Sequence, residues 1–329
     1  MNKHLFYKKF SFPINMDMIN NNEIDINWFI KYQDLINDIY LPPFFDKEYT
    51  FDAHKGIPYD YTNIKEFINK ISKTSIKINI IYNDLLLTEE EHKNNIKKFK
   101  ENIFKYNLKE ITIVDKFSED WFKLKEDFDF LTIKYSMTNN ANLKFIKKNI
   151  NYLKKFDLIY SHGDILNNYD KYYEFLETNN LKIGTVINFY GCSAKCTKIQ
   201  DHYKDFKLYK GNAQPIIDSY CPFTNQTILQ KQLKTTRLPN KIIHYKKFLN
   251  ILSIYKLQSR HDIECSRESK KIIEDIFELK PILYSVCEPN IKNIDKIKWA
   301  NYIQNCGGNC LSCSYCDDIE YRNTNEIKF

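Results

Sequence analysis

Apolar residues recur along this chain at two periods. Short runs such as 76–82 and 110–115 are dense in Ile, Val, Thr and Tyr, the make-up of strands buried on both faces. Longer stretches return an apolar residue every three or four positions. In 142–156, Leu143, Ile146, Ile150 and Leu153 form one stripe with lysines opposite, which predicts an amphipathic helix. Read this way, strands fall at 10–14, 39–41, 76–82, 110–115, 130–136, 157–161, 182–188 and 253–258. Helices fall at 25–36, 62–72, 89–106, 119–127, 141–153, 170–179, 240–249 and 267–277.

Eight strand–helix repeats predict an α/β fold, a (β/α)8 TIM-like barrel over residues 1–280. A doubly wound open sheet fits the same pattern, because periodicity reveals neither closure nor strand order. One connection is out of proportion: after the seventh strand, residues 189–238 intervene before the next helix, and three cysteines lie among them. Long connections of that kind are usually functional. After Pro281 the strand–helix rhythm stops, and 281–329 reads as an appended Cys-rich tail.

Composition narrows the class. With 43% hydrophobic residues in 329, a large core is expected and disorder as the main state is not. No run approaches the roughly 18 apolar residues of a membrane span, so no membrane partner is expected. The N-terminus lacks the apolar stretch of a signal peptide, which points to a cytoplasmic protein. The net charge of +7 comes from lysines spread over many helices, without a basic cluster of the kind that marks a nucleic-acid face.

The nine cysteines change the picture. In a reducing compartment, closely spaced thiols point to metal or redox chemistry before disulfides. Cys192, Cys196 and Cys221 follow the seventh strand and Cys265 follows the eighth. In a parallel barrel the segments after the strands open on one face, so these four thiols can converge on a 4Fe–4S cluster or a zinc ion. A second set, Cys306, Cys310, Cys313 and Cys316, lies in the tail, where Gly307 and Gly308 let the backbone wrap closely. Four thiolates there suit a second 4Fe–4S cluster or zinc equally. Cys287 is left over and reads as a buried thiol.

His54, His162 and His261 follow the second, sixth and eighth strands, and His202 lies in the cysteine-bearing insertion. Each is a candidate acid–base group or hydrogen-bond donor, with an unremarkable loop histidine as the alternative. Asp84 and Asp115, at the ends of the third and fourth strands, divide between the same role and helix capping. The zinc-protease His-Glu-x-x-His helix, the Gly-x-Ser-x-Gly elbow, the phosphate-binding glycine loop and the dinucleotide fingerprint are all absent. The Cys-x3-Cys-x2-Cys run lies at the C-terminus, away from the barrel start where a radical-SAM enzyme carries its cluster motif.

From the seventh to the eighth strand the sequence resembles the collagenase-like peptidase family U32. That family runs from a strand to two cysteines, a Gly-bearing stretch ending in another Cys, a helix, and a strand reading Lys-Ile-Glu-Gly-Arg. The counterparts are Val186-Ile187-Asn188, then Cys192 and Cys196, then Gly211-Asn212-Ala213 leading to Cys221. A helix from Leu238 and Tyr255-Lys256-Leu257-Gln258-Ser259-Arg260 complete them. Asn188-Phe189-Tyr190-Gly191 replaces the family's His-Gly-Ala, Gln258 and Ser259 replace its Glu and Gly, and Cys265 follows the last strand where family members often place a cysteine before it. The resemblance implies a barrel with a cysteine-held 4Fe–4S cluster and oxygen-independent hydroxylation of a nucleobase or small aromatic compound, with peptidase chemistry unsupported. Catalytic candidates are then Asn188, His202, Lys256, Arg260 and His162, with Lys256 and Arg260 binding an anionic group. The substrate stays open among a small molecule, RNA and a peptide. The rival reading is a zinc-stabilised barrel that binds RNA or protein without catalysis.

Overall fold

The computed structural model describes residues 3–45, 64–136, 143–161, 169–187, 201, 204–205, 208–209, 251–257 and 263–280. Its eight strands are β1 (Phe10–Pro13), β2 (Ile36–Leu41), β3 (Lys77–Tyr82), β4 (Leu108–Ile113), β5 (Thr132–Tyr135), β6 (Leu158–Ser161), β7 (Ile183–Val186) and β8 (Leu252–Lys256). All pair in parallel with their sequence neighbours, and β8 pairs back onto β1, closing the barrel in the order β1 to β8. All eight expected strands form, and closure decides against the open sheet.

The helices are α1 (Met16–Asn20), α2 (Ile26–Tyr32), α3 (Ile64–Ile71), α4 (Glu89–Asn102), α5 (Ser118–Asp127), α6 (Leu143–Lys148), α7 (Ile150–Leu153), α8 (Tyr169–Asn179) and α9 (Ile263–Phe277). Local chemistry sets several starts. At α4, Thr88 accepts from the Glu91 amide (3.2 Å) while the Glu91 carboxylate accepts from the Thr88 amide (2.8 Å), a reciprocal cap. Asp25 caps α2 through the Trp28 amide at 2.8 Å. The single helix expected over 141–153 is interrupted at Asn149, which leaves helical geometry and donates its side-chain amide to the Phe145 carbonyl (2.9 Å). The expected helix at 240–249, the insertion and the tail lie outside the described residues.

The hydrophobic core lies between the barrel and its helices. Ile39, Leu41, Ile78, Ile80, Ile111, Ile113, Ile133 and Ile159 point outward from the strands into it. They meet Phe29, Ile68, Phe99, Trp121, Ile272 and Ile276 from the helices. Because side chains alternate across a strand, the intervening residues face the lumen.

Barrel lumens are commonly filled by layers of branched apolar side chains. This one holds charges. Lys134 on β5 reaches Asp38 on β2 (2.8 Å) and also contacts Glu110 on β4, and a β5–β2 contact between strands that are not neighbours runs through the lumen. All three residues are buried. Ser11 donates to Asp38 (2.6 Å), as does Asn79 (3.3 Å), and Thr112 donates to the Asn79 side-chain oxygen (3.0 Å). At the strand starts Lys77, half-exposed, pairs with Glu110 at 2.9 Å.

Burial opposes charge on both partners. For Asp38 it pushes the carboxyl pKa up, but the Lys134 charge and hydrogen bonds from Lys134, Ser11 and Asn37 outweigh it, and the pKa falls below the usual value. For Lys134 burial pulls the other way, and Asp38 and Glu110 outweigh it to hold the ammonium pKa well above that of an ordinary lysine.

Removing one member strands the others. Lys134→Met should destabilise the barrel by about 3–5 kcal/mol in urea unfolding, because buried Asp38 loses its cation and Glu110 keeps only the half-exposed Lys77. The sign of the pH dependence follows from the shifts. Asp38's contribution is present above its unfolded pKa of about 3.9 and is lost as pH falls through the lower folded value. Lys134's is complete below about 10.4 and is lost only above its raised folded value. Stability measured against pH should therefore fall on the acid side in the wild type and fall less steeply there in Asp38→Asn.

Candidate functional site

The strand ends define one rim. β7 stops at Val186 and β8 at Lys256, and these two residues are in register. The Lys256 side chain is buried, with Nζ 4.4 Å from the Tyr40 ring centroid and 4.6 Å from that of Tyr160. Tyr40 belongs to β2 and Tyr160 to β6, so the ammonium lies over the lumen near its C-terminal mouth. The Tyr40 hydroxyl donates to the Leu257 carbonyl at 2.5 Å, tying β2 to the end of β8. Cation–π attraction to two buried ring faces restrains the flexible lysine stem.

The expected site residues fall unequally on the described structure. Lys256 is seen as the last residue of β8. Asn188 and His162 follow the described ends of the β7 and β6 segments, at Ile187 and Ser161, and themselves lie outside the described residues. So do His202, Arg260, Cys192, Cys196, Cys221, the tail set Cys306, Cys310, Cys313 and Cys316, and His54, His261 and Cys287. Cys265 is located by its backbone alone. α9 begins at Ile263, four residues earlier than the sequence pattern suggested, so Cys265 stands in the first helical turn and not in the preceding loop. Among the described residues, no three His, Cys, Asp or Glu side chains gather to hold a metal ion.

The carboxylates that follow β3 and β4 bond to the protein around them. Asp84 is buried and accepts the Leu86 amide at 2.8 Å, closing a local turn. Asp115 is exposed. Its carboxyl group nonetheless bonds inward, and that burial raises its pKa, with hydrogen bonds from Tyr135 and Tyr152 pulling it back. Those tyrosines pack among Phe145 and Phe156 outside the barrel wall, so Asp115 belongs to the helix side and not to the mouth. Burial, opposed by a hydrogen bond with Ser118, pushes the Tyr152 phenol up to about 12.

The luminal groups escaped the sequence reading. Asp38, Glu110, Lys134, Tyr40 and Tyr160 sit inside runs that look like ordinary buried strands. The usable signal was alternation: Asp38 and Tyr40, Asn79 and Ile81, Glu110 and Thr112, Lys134 and Ser136 each repeat at the period of one strand face.

The architecture is a closed parallel (β/α)8 barrel with an ionised lumen and a buried lysine at its mouth. No family model matches the chain, and no curated protein matches it. Among solved structures it is similar to the U32 peptidase Mk0906, at 10% identity and a TM-score of 0.49, over 76% of this chain and 94% of that one. Likeness at that level carries no statement about chemistry.

Tyr40→Phe should keep the ring beneath Lys256 but leave the Leu257 carbonyl without its phenol donor. A loss of about 1–3 kcal/mol in thermal or urea unfolding is expected, the cost of a buried polar group deprived of its partner.

Proposed function

We propose that this chain is an iron–sulfur barrel enzyme of U32-like type that modifies, for example by hydroxylation, a nucleobase, a small aromatic metabolite or a peptide. The observation that carries the reading is the register of Val186 with Lys256 on adjacent strands. Asn188, Cys192, Cys196 and Cys221 continue the chain from one of those strands, and Arg260 and Cys265 continue it from the other. Both continuations leave the barrel at the rim where Lys256 is buried between two tyrosine rings.

The donor set suits the cofactor. Four thiols on continuations of neighbouring strands match the ligand requirement of a 4Fe–4S cluster. Cys192, Cys196, Cys221 and Cys265 would hold the cluster, which when bound supplies one-electron transfer. The protein's own residues do the rest. Lys256 and Arg260 bind an anionic group of the substrate, and Asn188, His162 and His202 are the candidates for orienting it and moving protons. Cys306, Cys310, Cys313 and Cys316 hold a second cluster or a zinc ion.

Anaerobic purification followed by iron, sulfide and zinc analysis tests the reading. Iron and acid-labile sulfide in near-equal amounts are expected. Zinc without iron in both thiol sets would replace the enzyme by a zinc-stabilised binding module. Changing Cys313 and Cys316 together to Ser should remove one metal centre and leave the other loaded, and loss of all metal would mean the tail supplies ligands to the rim centre.

A further inference from the structure

One aromatic ring separates the ionised triad from Lys256. Tyr160 is fully buried, with the Lys256 ammonium 4.6 Å from its centroid and that of Lys134 5.9 Å away. The strand registers stack these groups. Lys134 aligns with Leu158, Tyr160 aligns with Gly184 two residues further along, and Lys256 aligns with Val186 two residues beyond that. The barrel is therefore layered from Lys134 through Tyr160 to Lys256.

The ring has its place because β7 carries a glycine there. A Cβ on Gly184 would come within 2.8 and 2.9 Å of Tyr160 Cε1 and Cδ1 and 3.1 Å from the Ile254 carbonyl oxygen. Glycine weakens a strand interior and is expected where another group must approach the backbone closely. Any other residue would push the ring out of this seat.

We propose that Tyr160, seated against Gly184, is a positioning residue that holds the Lys256 ammonium at the lumen mouth for an anionic group of the substrate, a carboxylate or a phosphate. This rests on the reading of Lys256 as an anion-binding residue and adds what holds it in place. The ammonium is attracted to the ring face, and the Tyr40 face at 4.4 Å restrains it from a second side. A lysine fixed in this way loses less freedom on binding than a mobile one, and its N–H donors remain directional. The ring itself stays uncharged. Burial pushes the phenol pKa up, against the pull of Lys134 and Ser11. Its face does the positioning, and the hydroxyl is dispensable.

Calorimetric titration of the metal-loaded full-length protein with inorganic phosphate, and separately with benzoate, tests this, with unfolding midpoint and iron content followed on the same samples. Lys256→Met should abolish binding of the preferred anion, and comparison of the two titrations identifies whether that is phosphate or carboxylate. Tyr160→Phe should bind within about twofold of wild type, while Tyr160→Leu and Gly184→Ala, which remove or displace the ring, should each weaken binding about tenfold. Wild-type affinity in Tyr160→Leu or in Gly184→Ala overturns the positioning role and leaves the anion reading intact. A loss in Tyr160→Phe assigns the effect to the hydroxyl and overturns it too. Failure of the wild type to bind either anion, or undiminished binding by Lys256→Met, overturns the anion reading on which the role rests.

Discussion

The Lys134 ammonium held between Asp38 and Glu110 is the constraint on which the rest of the barrel turns. A charge taken into a protein interior survives only where partners restore what water supplied. Here those partners come from β2 and β4, so three strands that are not all neighbours are locked to one geometry across the lumen. Ser11, Asn79 and Thr112 extend the bonding through β1, β3 and β4. An apolar lumen of the same volume would leave the alignment across the barrel to the outer core and the backbone ladders alone. A hydrogen-bonded ionic one fixes the register, and with it the height at which each strand ends.

That fixed height matters for the mouth. Tyr160 lies directly above the triad, and Lys256 lies above Tyr160, so the position of the buried lysine is inherited from the charges beneath it. Packing and electrostatics are thus one device. The apolar side chains outside the strands hold the helices, and the polar ones inside set the platform on which chemistry at the rim would rest. Buried ionic groups rarely add net stability over well-packed hydrophobic ones. The six polar and charged residues of this network, Ser11, Asp38, Asn79, Glu110, Thr112 and Lys134, are easier to understand as fixing geometry than as adding stability.

Much of the architecture was legible in the sequence. The strands announce themselves by dense Ile, Val and Tyr, and their number and spacing imply a barrel. Closure was not legible, because it depends on the pairing of Phe10 with Tyr255, residues at opposite ends of the fold. The break at Asn149 was hidden for a local reason: the apolar stripe runs through it unbroken, and only a side-chain-to-backbone hydrogen bond divides the helix. The early start of α9 was hidden because Ile263 stands alone, and no aliphatic or aromatic side chain follows it until Ile272 and Ile273, where the apolar stripe becomes visible. Of the candidate site, Lys256 was found through its strand position, whereas Tyr40, Tyr160 and Gly184 were missed. Tyrosine in a strand reads as core, and the meaning of Gly184 lies in what packs against it across the neighbouring strand.

A charged lumen, a caged lysine and thiols carried on the continuations of β7 and β8 would together make one rim-centred site. Anomalous scattering at the iron edge from anaerobically grown crystals tests that union most directly. The account predicts iron at the C-terminal mouth, with sulfur atoms of Cys192, Cys196 and Cys221 about 2.3 Å from metal and Lys256 below them on the lumen side. Iron confined to the tail cysteines, or no iron at the mouth in a protein whose thiols are intact, would contradict it.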